Sequence, residues 1–214
     1  MACTLRTSSR FLAATAVAFA GAIGMPGAQA SDPATDARGV IQSMWSSVVP
    51  ILANKGLDKA SREARFTAVY RANFDNAAIA AAVVGAPWQQ ASAPQRERFL
   101  GLFEAYVVKV YTGQFATYKG EQLVVVKSEP EGDGAIVTTH IVDPAAPGGR
   151  AIELKWRLRM TSNGLKVRDV MFENISMTLN QRREFGSVMQ QRGGNLEGLM
   201  QALSEKIAQL ATRN

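Results

Sequence analysis

The chain has 214 residues, 47% of them hydrophobic, with 24 basic and 18 acidic side chains. That is enough apolar material for one domain with a real core. The mild positive balance fits a surface kept away from zero net charge and speaks against a nucleic-acid binder, which needs basic clusters that are scarce here.

The N-terminus reads as a separate piece. Arg6 and Arg10 precede an uncharged run from Phe11 to Ile23, and Ala28-Gln29-Ala30 supplies small residues where a signal peptidase reads. The expectation is a cleaved secretory signal over residues 1–30 and a single domain over 31–214, exported through the inner membrane. The sole cysteine, Cys3, leaves with the signal. The remaining chain then has no thiol, which excludes disulfides, thiolate metal sites and a cysteine nucleophile. Loss of Arg6 and Arg10 leaves 22 basic against 18 acidic residues, a net charge of +4.

Ser31 to Arg38 reads as a polar, mobile start. From Val40 the residues Ile41, Met44, Trp45, Val48, Val49 and Leu52 recur at helical spacing, with a kink or early end expected at Pro50. A second helix is expected over about Lys59–Ala72. Asp75 looks like the N-cap of a short alanine-rich helix that Gly85 stops. Trp88 follows in a Gly-Ala-Pro turn. Ser92-x-x-Gln95 is a capping box for a long helix from Ala93 to near Tyr118, with Pro94 tolerated in its first turn. That helix carries Phe99, Phe103, Tyr106, Val110 and Tyr111. So long an aromatic face must be covered by a core, a partner or a greasy ligand.

After Gly120 the period falls to two. Strands are expected over Leu123–Lys127, Ala135–Val142, Ile152–Met160 and Leu165–Phe172, with turns at Glu131–Gly134, Pro144–Gly149 and Thr161–Gly164. The third strand alternates strictly: Ile152, Leu154, Trp156, Leu158 and Met160 against Glu153, Lys155, Arg157 and Arg159, so one sheet face is dry and the other wet. Short links favour an antiparallel meander. Helices over Ser176–Gln191 and from Leu196 close the chain. The expected class is α+β, a four-stranded antiparallel curved sheet packed against helices and enclosing an apolar cavity.

Catalytic machinery is sparse. His140 is a lone histidine in a strand, and no Gly-x-Ser-x-Gly elbow, glycine-rich phosphate loop or His/Cys cluster accompanies it. No metal or cofactor is expected. Asp169 and Glu173 could act as an acid–base pair, or pair with arginines such as Arg157 or Arg182. Asn174-Ile175-Ser176 fits a glycosylation acceptor, a pattern short enough to recur by chance. Many rings remain, among them Trp45, Trp88, Trp156 and Phe172. They form either a filled core or the wall of a cavity between the long helix and the dry sheet face.

Gly85-x-x-Trp88, Ser92-x-x-Gln95-Arg96, Phe99, Phe103 and Tyr111 resemble the first signature of the MlaC, or toluene-tolerance, family. Lys166-Val167-Arg168-Asp169-Val170, Glu173-x-x-Ser176 and Asn180-x-Arg182-x-x-Phe185 resemble its second. The sequence departs from the family at Leu165, Asn174 and Gln181, and at Ala86-Pro87. A hopanoid-associated branch is similar too. The resemblance implies a non-enzymatic periplasmic carrier that moves a phospholipid or hopanoid between an inner-membrane ABC-type transport complex and an outer-membrane lipid complex.

On that reading Trp88, Phe99, Phe103, Tyr106, Val110, Tyr111, Trp156, Leu158 and Phe172 line the lipid site, and Arg182 and Arg183 dock partners. Tyr106→Glu or Leu158→Glu should then empty the site without unfolding the domain. The rival readings are an enzyme with a cone-shaped α+β pocket using Asp169 as base, and a structural adaptor with a filled core.

Overall fold

The computed structural model describes residues 32–114, 117–146 and 148–212. The expected signal segment, with Cys3, lies outside the described residues. Among the described residues, seven α-helices and five strands follow in order: α1 Pro33–Ala53, α2 Lys59–Asn73, α3 Asn76–Val84, α4 Ala86–Gln90, α5 Ala93–Gln114, β1 Gln122–Glu131, β2 Gly134–Val142, β3 Ile152–Thr161, β4 Gly164–Phe172, β5 Ile175–Ser176, α6 Met177–Gln191 and α7 Leu196–Thr212.

Local chemistry sets most of these boundaries. The capping box forms: the Ser92 N–H donates to Gln95 Oε1 at 2.9 Å, and the Gln95 N–H to Ser92 Oγ at 3.4 Å. Asp75 caps α3 by accepting from the Ala78 N–H at 3.0 Å. Its other carboxylate oxygen accepts from Arg168 Nε at 3.0 Å, which ties α3 to β4. Two expectations change. Helix α1 begins at Pro33 instead of Val40, because Asp32 caps it and proline suits the first helical position. Pro50 does not end α1: Ile51 and Leu52 beyond it are buried, and that packing holds the last turn.

The sheet is an open antiparallel meander in the order β1-β2-β3-β4-β5. Its four long strands lie where the periodicity put them, with β1 running on past Lys127 to Glu131, and the two-residue β5 adds a fifth. Bulges interrupt the ladders at Val125/Lys127 and at Arg157/Leu158, where local twist increases. The wet face carries interlocked ion pairs, including Arg157 with Glu131 at 3.0 Å and with Asp169 at 3.8 Å.

Two separate cores result. In one, α1 lays Ala34, Ala37, Ile41 and Met44 on the dry face against Ala135, Val137, Trp156, Leu158, Leu165 and Val167. In the other, α3, α5, α6 and α7 pack around rings. Phe99 and Phe103 stack at 5.8 Å, and Phe185 meets both edge-on at 6.3 and 6.1 Å. Long helix α5 therefore packs against α7, α2 and α3. The helix that covers the dry sheet face is α1, a correction to the expectation that α5 does so.

Candidate functional site: the uncovered end of the apolar sheet face

Cross-strand register divides the dry face into rows. Ala135–Leu158–Val167 and Val137–Trp156–Val170 lie under α1. The next row runs Val125–Thr139–Leu154–Phe172–Ile175 across all five strands, and Leu123–Ile141–Ile152 lies beyond it. Burial falls along the five-strand row. Thr139 is fully buried and Leu154 partly so, while Phe172 is 45% and Ile175 56% exposed. At the boundary between covered and uncovered rows, buried Trp156 donates Nε1–H to Thr139 Oγ1 at 2.9 Å, so the indole spends its only donor internally.

A chain of rings leads from this face to α5. Phe74 forms a bridge with Val167 and stacks on Tyr70 at 4.9 Å. Burial pushes the Tyr70 hydroxyl far above the ordinary tyrosine range, with smaller contributions from Glu104, Tyr111 and Asp75. Tyr111 is 40% exposed, yet burial also raises its hydroxyl. Tyr106, raised chiefly by burial, faces Phe185 at 6.1 Å and shares a hydrogen bond with Gln181.

The sequence-derived site residues therefore divide three ways. Trp88, Phe99, Phe103 and Tyr106 belong to or pack on the helical core. Trp156 and Leu158 belong to the core beneath α1. Phe172 lies in the open row, with Val110 and Tyr111 half-buried or exposed on α5. Leu158 is fully buried, so Leu158→Glu would test folding before it tested lipid loading. Ile152, Leu154 and Ile175 were not singled out as site residues from the sequence, although the period-two pattern already put Ile152 and Leu154 on the dry face.

Two hollows among the described residues are open clefts elsewhere. One, of about 370 Å³, lies between α2 and α5, bordered by the Arg71–Glu104 and Lys109–Glu63 ion pairs. The other, of about 400 Å³, lies between α1 and the β3–β4 turn. Neither is lined by the rings expected to hold a ligand.

The family model described as MlaC protein matches residues 42–205. The chain belongs to the MlaC family. A phospholipid-binding protein from Ralstonia solanacearum, solved in complex with a phospholipid, shares its fold with a TM-score of 0.68 at 18% identity, over 85% of this chain and 100% of that one. The shared architecture is this MlaC-family arrangement of an open antiparallel sheet with helices.

The polar residues of this MlaC-family chain sit away from the open row. Asp169, opposite Arg157 on the wet face, is buried and accepts from the Thr178 N–H at 3.1 Å, which anchors the start of α6. Glu173 pairs with Arg150 at 3.1 Å. His140 stands half-buried, 4.0 Å from Glu153. Arg182 lies against Gly85, whose φ of 74° few other residues adopt; a Cβ there would stand 2.9 Å from Arg182 Nη2. Arg183 is exposed and reaches Asn180 at 3.3 Å.

Proposed function

We propose that this chain is a lipid carrier of the periplasm, exported with a signal peptide cleaved after Ala30. It takes a phospholipid from one membrane-bound complex and delivers it to another, as the soluble part of an ABC-type transport system. The observation that carries this reading is the apolar row that opens from Leu154 through Phe172 to Ile175. Family membership and the phospholipid held by the Ralstonia protein of the same fold add support.

The mechanism is passive. Acyl carbon leaves water for the open row, gaining about 25 cal/mol per Å² of apolar surface removed from water. An acyl chain fits a row of aliphatic and aromatic side chains, which offers dispersion contacts along its length, while the row's one hydroxyl, on Thr139, is already paired with Trp156 and the Leu154 carbonyl. The headgroup stays at the margin with solvent and charged side chains. Release follows when an acceptor complex offers the chain an equal apolar surface.

Asp169 supports a binding protein better than an enzyme. Its carboxylate is committed to the Thr178 N–H and stands on the face opposite the apolar row.

The test is organic extraction of the purified protein with identification by mass spectrometry of whatever comes with it. A stoichiometric phospholipid is expected. A hopanoid would revise the cargo, and an absence of any lipid would overturn the carrier reading.

A further inference from the structure

The stretch from Asn174 to Gln181 contains no charged residue, and it follows directly on the open row. Ile175 is 56%, Met177 38% and Leu179 59% exposed, beside Phe172 in the row itself. Four large apolar side chains thus face water along one β-turn and the first turn of α6. We propose that this lip inserts into the surface of a lipid bilayer.

Three observations fit that occupant. The lip is held in shape. Glu173 and Asn174 both take left-handed backbone, φ 47° and 66°, which asparagine tolerates and glutamate rarely adopts unless the surroundings fix it. Here Lys155 Nζ donates to Asn174 Oδ1 at 2.6 Å and Arg150 to Glu173 Oε2 at 3.1 Å. The polar backbone at the lip is also satisfied. The Leu179 N–H donates to Ser176 Oγ and the Thr178 N–H to Asp169 Oδ1, both at 3.1 Å, so burying this helix start leaves those donors paired.

The third observation is the position of the charges. Arg182 and Arg183 follow Met177 by five and six residues, about 8 Å along the helix axis. With the lip entering first, that axial distance sets these arginines back from the tip, at the level of the headgroups. Glu184 on the same turn is held by Asn180 and Gln181, and Arg182 rests against Gly85. Arg183 is therefore the cation of this turn with the most freedom to meet a phosphate. The lip adjoins the apolar row at Phe172–Ile175, so an acyl chain could pass between bilayer and row without crossing water. The purpose of the lip rests on the carrier reading; its insertion does not.

Cys3 is the only cysteine, so a Cys3→Ser, Leu179→Cys protein carries a single nitroxide label. It is mixed with vesicles of phosphatidylethanolamine and phosphatidylglycerol, with Ser204→Cys on the exposed side of α7 as control. Insertion predicts that oxygen accessibility at 179 rises with vesicles while that at 204 does not change. Leu179→Asp should lower vesicle flotation of the protein about tenfold or more, the equivalent of one leucine left unburied. A label at 179 that stays in water with vesicles present overturns the lip, even where bound lipid is found by mass spectrometry. A label that enters the bilayer on a protein from which no lipid is ever extracted keeps the lip and sinks the carrier.

Discussion

Two halves of one sheet face behave differently here, and the contrast carries the functional reading. Val137, Trp156, Leu158 and Val167 lie under α1 and are buried. Leu154, Ile152, Phe172 and Ile175 continue the same apolar pattern, yet burial fades along them until the outermost are about half exposed. Residue type does not separate the halves, since both are aliphatic and aromatic. Distance from the α1 core does: Leu154 still packs on its edge, while Ile152, Phe172 and Ile175 lie off it. On the proposed function, the part left open is where the acyl chain lies.

The contrast can be broken most forcefully from the covered side. Leu158→Ala should cost about 2–5 kcal/mol in urea unfolding, because the site is fully enclosed and a cavity remains. A loss below about 1 kcal/mol would mean that α1 does not hold this half. Next comes Asp169→Asn. The amide keeps an acceptor for the Thr178 N–H but lacks the charge that faces Arg157, so about 1–3 kcal/mol of stability should be lost. Full stability together with loss of some catalytic activity would revive the enzyme reading.

On the open side the same kind of truncation should be mild. Phe172→Ala should change stability by no more than about 1 kcal/mol, because nearly half of the ring is already in water. A loss as large as that of Leu158→Ala would erase the distinction between the halves.

The smallest effect concerns acid. Partial burial alone would raise the Glu131 carboxyl, but hydrogen bonds from Arg157 and Arg159 override it and hold it below the usual carboxylate range. A depressed folded value contributes stability above the ordinary glutamate range and loses it as pH falls through the depressed one. Glu131→Gln should flatten the acid limb of the stability–pH curve slightly. An unchanged limb would show that the ion pairs of the wet face contribute nothing there.

Much of this fold could be read from short-range chemistry. Ser92 and Gln95 are three residues apart and need no tertiary information to cap α5. The strict alternation of β3 fixes which side chains share a face. The start of α1 was also available: Asp32-Pro33 is an N-cap followed by proline at the first helical position.

What covers the dry face was not available. The aromatic stripe of α5 has the same spacing whether it meets a sheet or other helices, and in the fold Phe99 and Phe103 are filled against Phe185. Small Ala34 and Ala37 let α1 approach the sheet closely, yet in sequence they stand in a stretch that reads as polar and mobile. The open row was legible strand by strand. Its exposure was not, since exposure depends on where α1 lies.

The most direct measurement is native mass spectrometry of the purified protein with Phe172→Asp beside the unaltered chain. The account predicts that the unaltered protein carries lipid and that Phe172→Asp, still folded by circular dichroism, carries markedly less. Equal lipid on both would contradict the assignment of the open row as the place where the acyl chain lies.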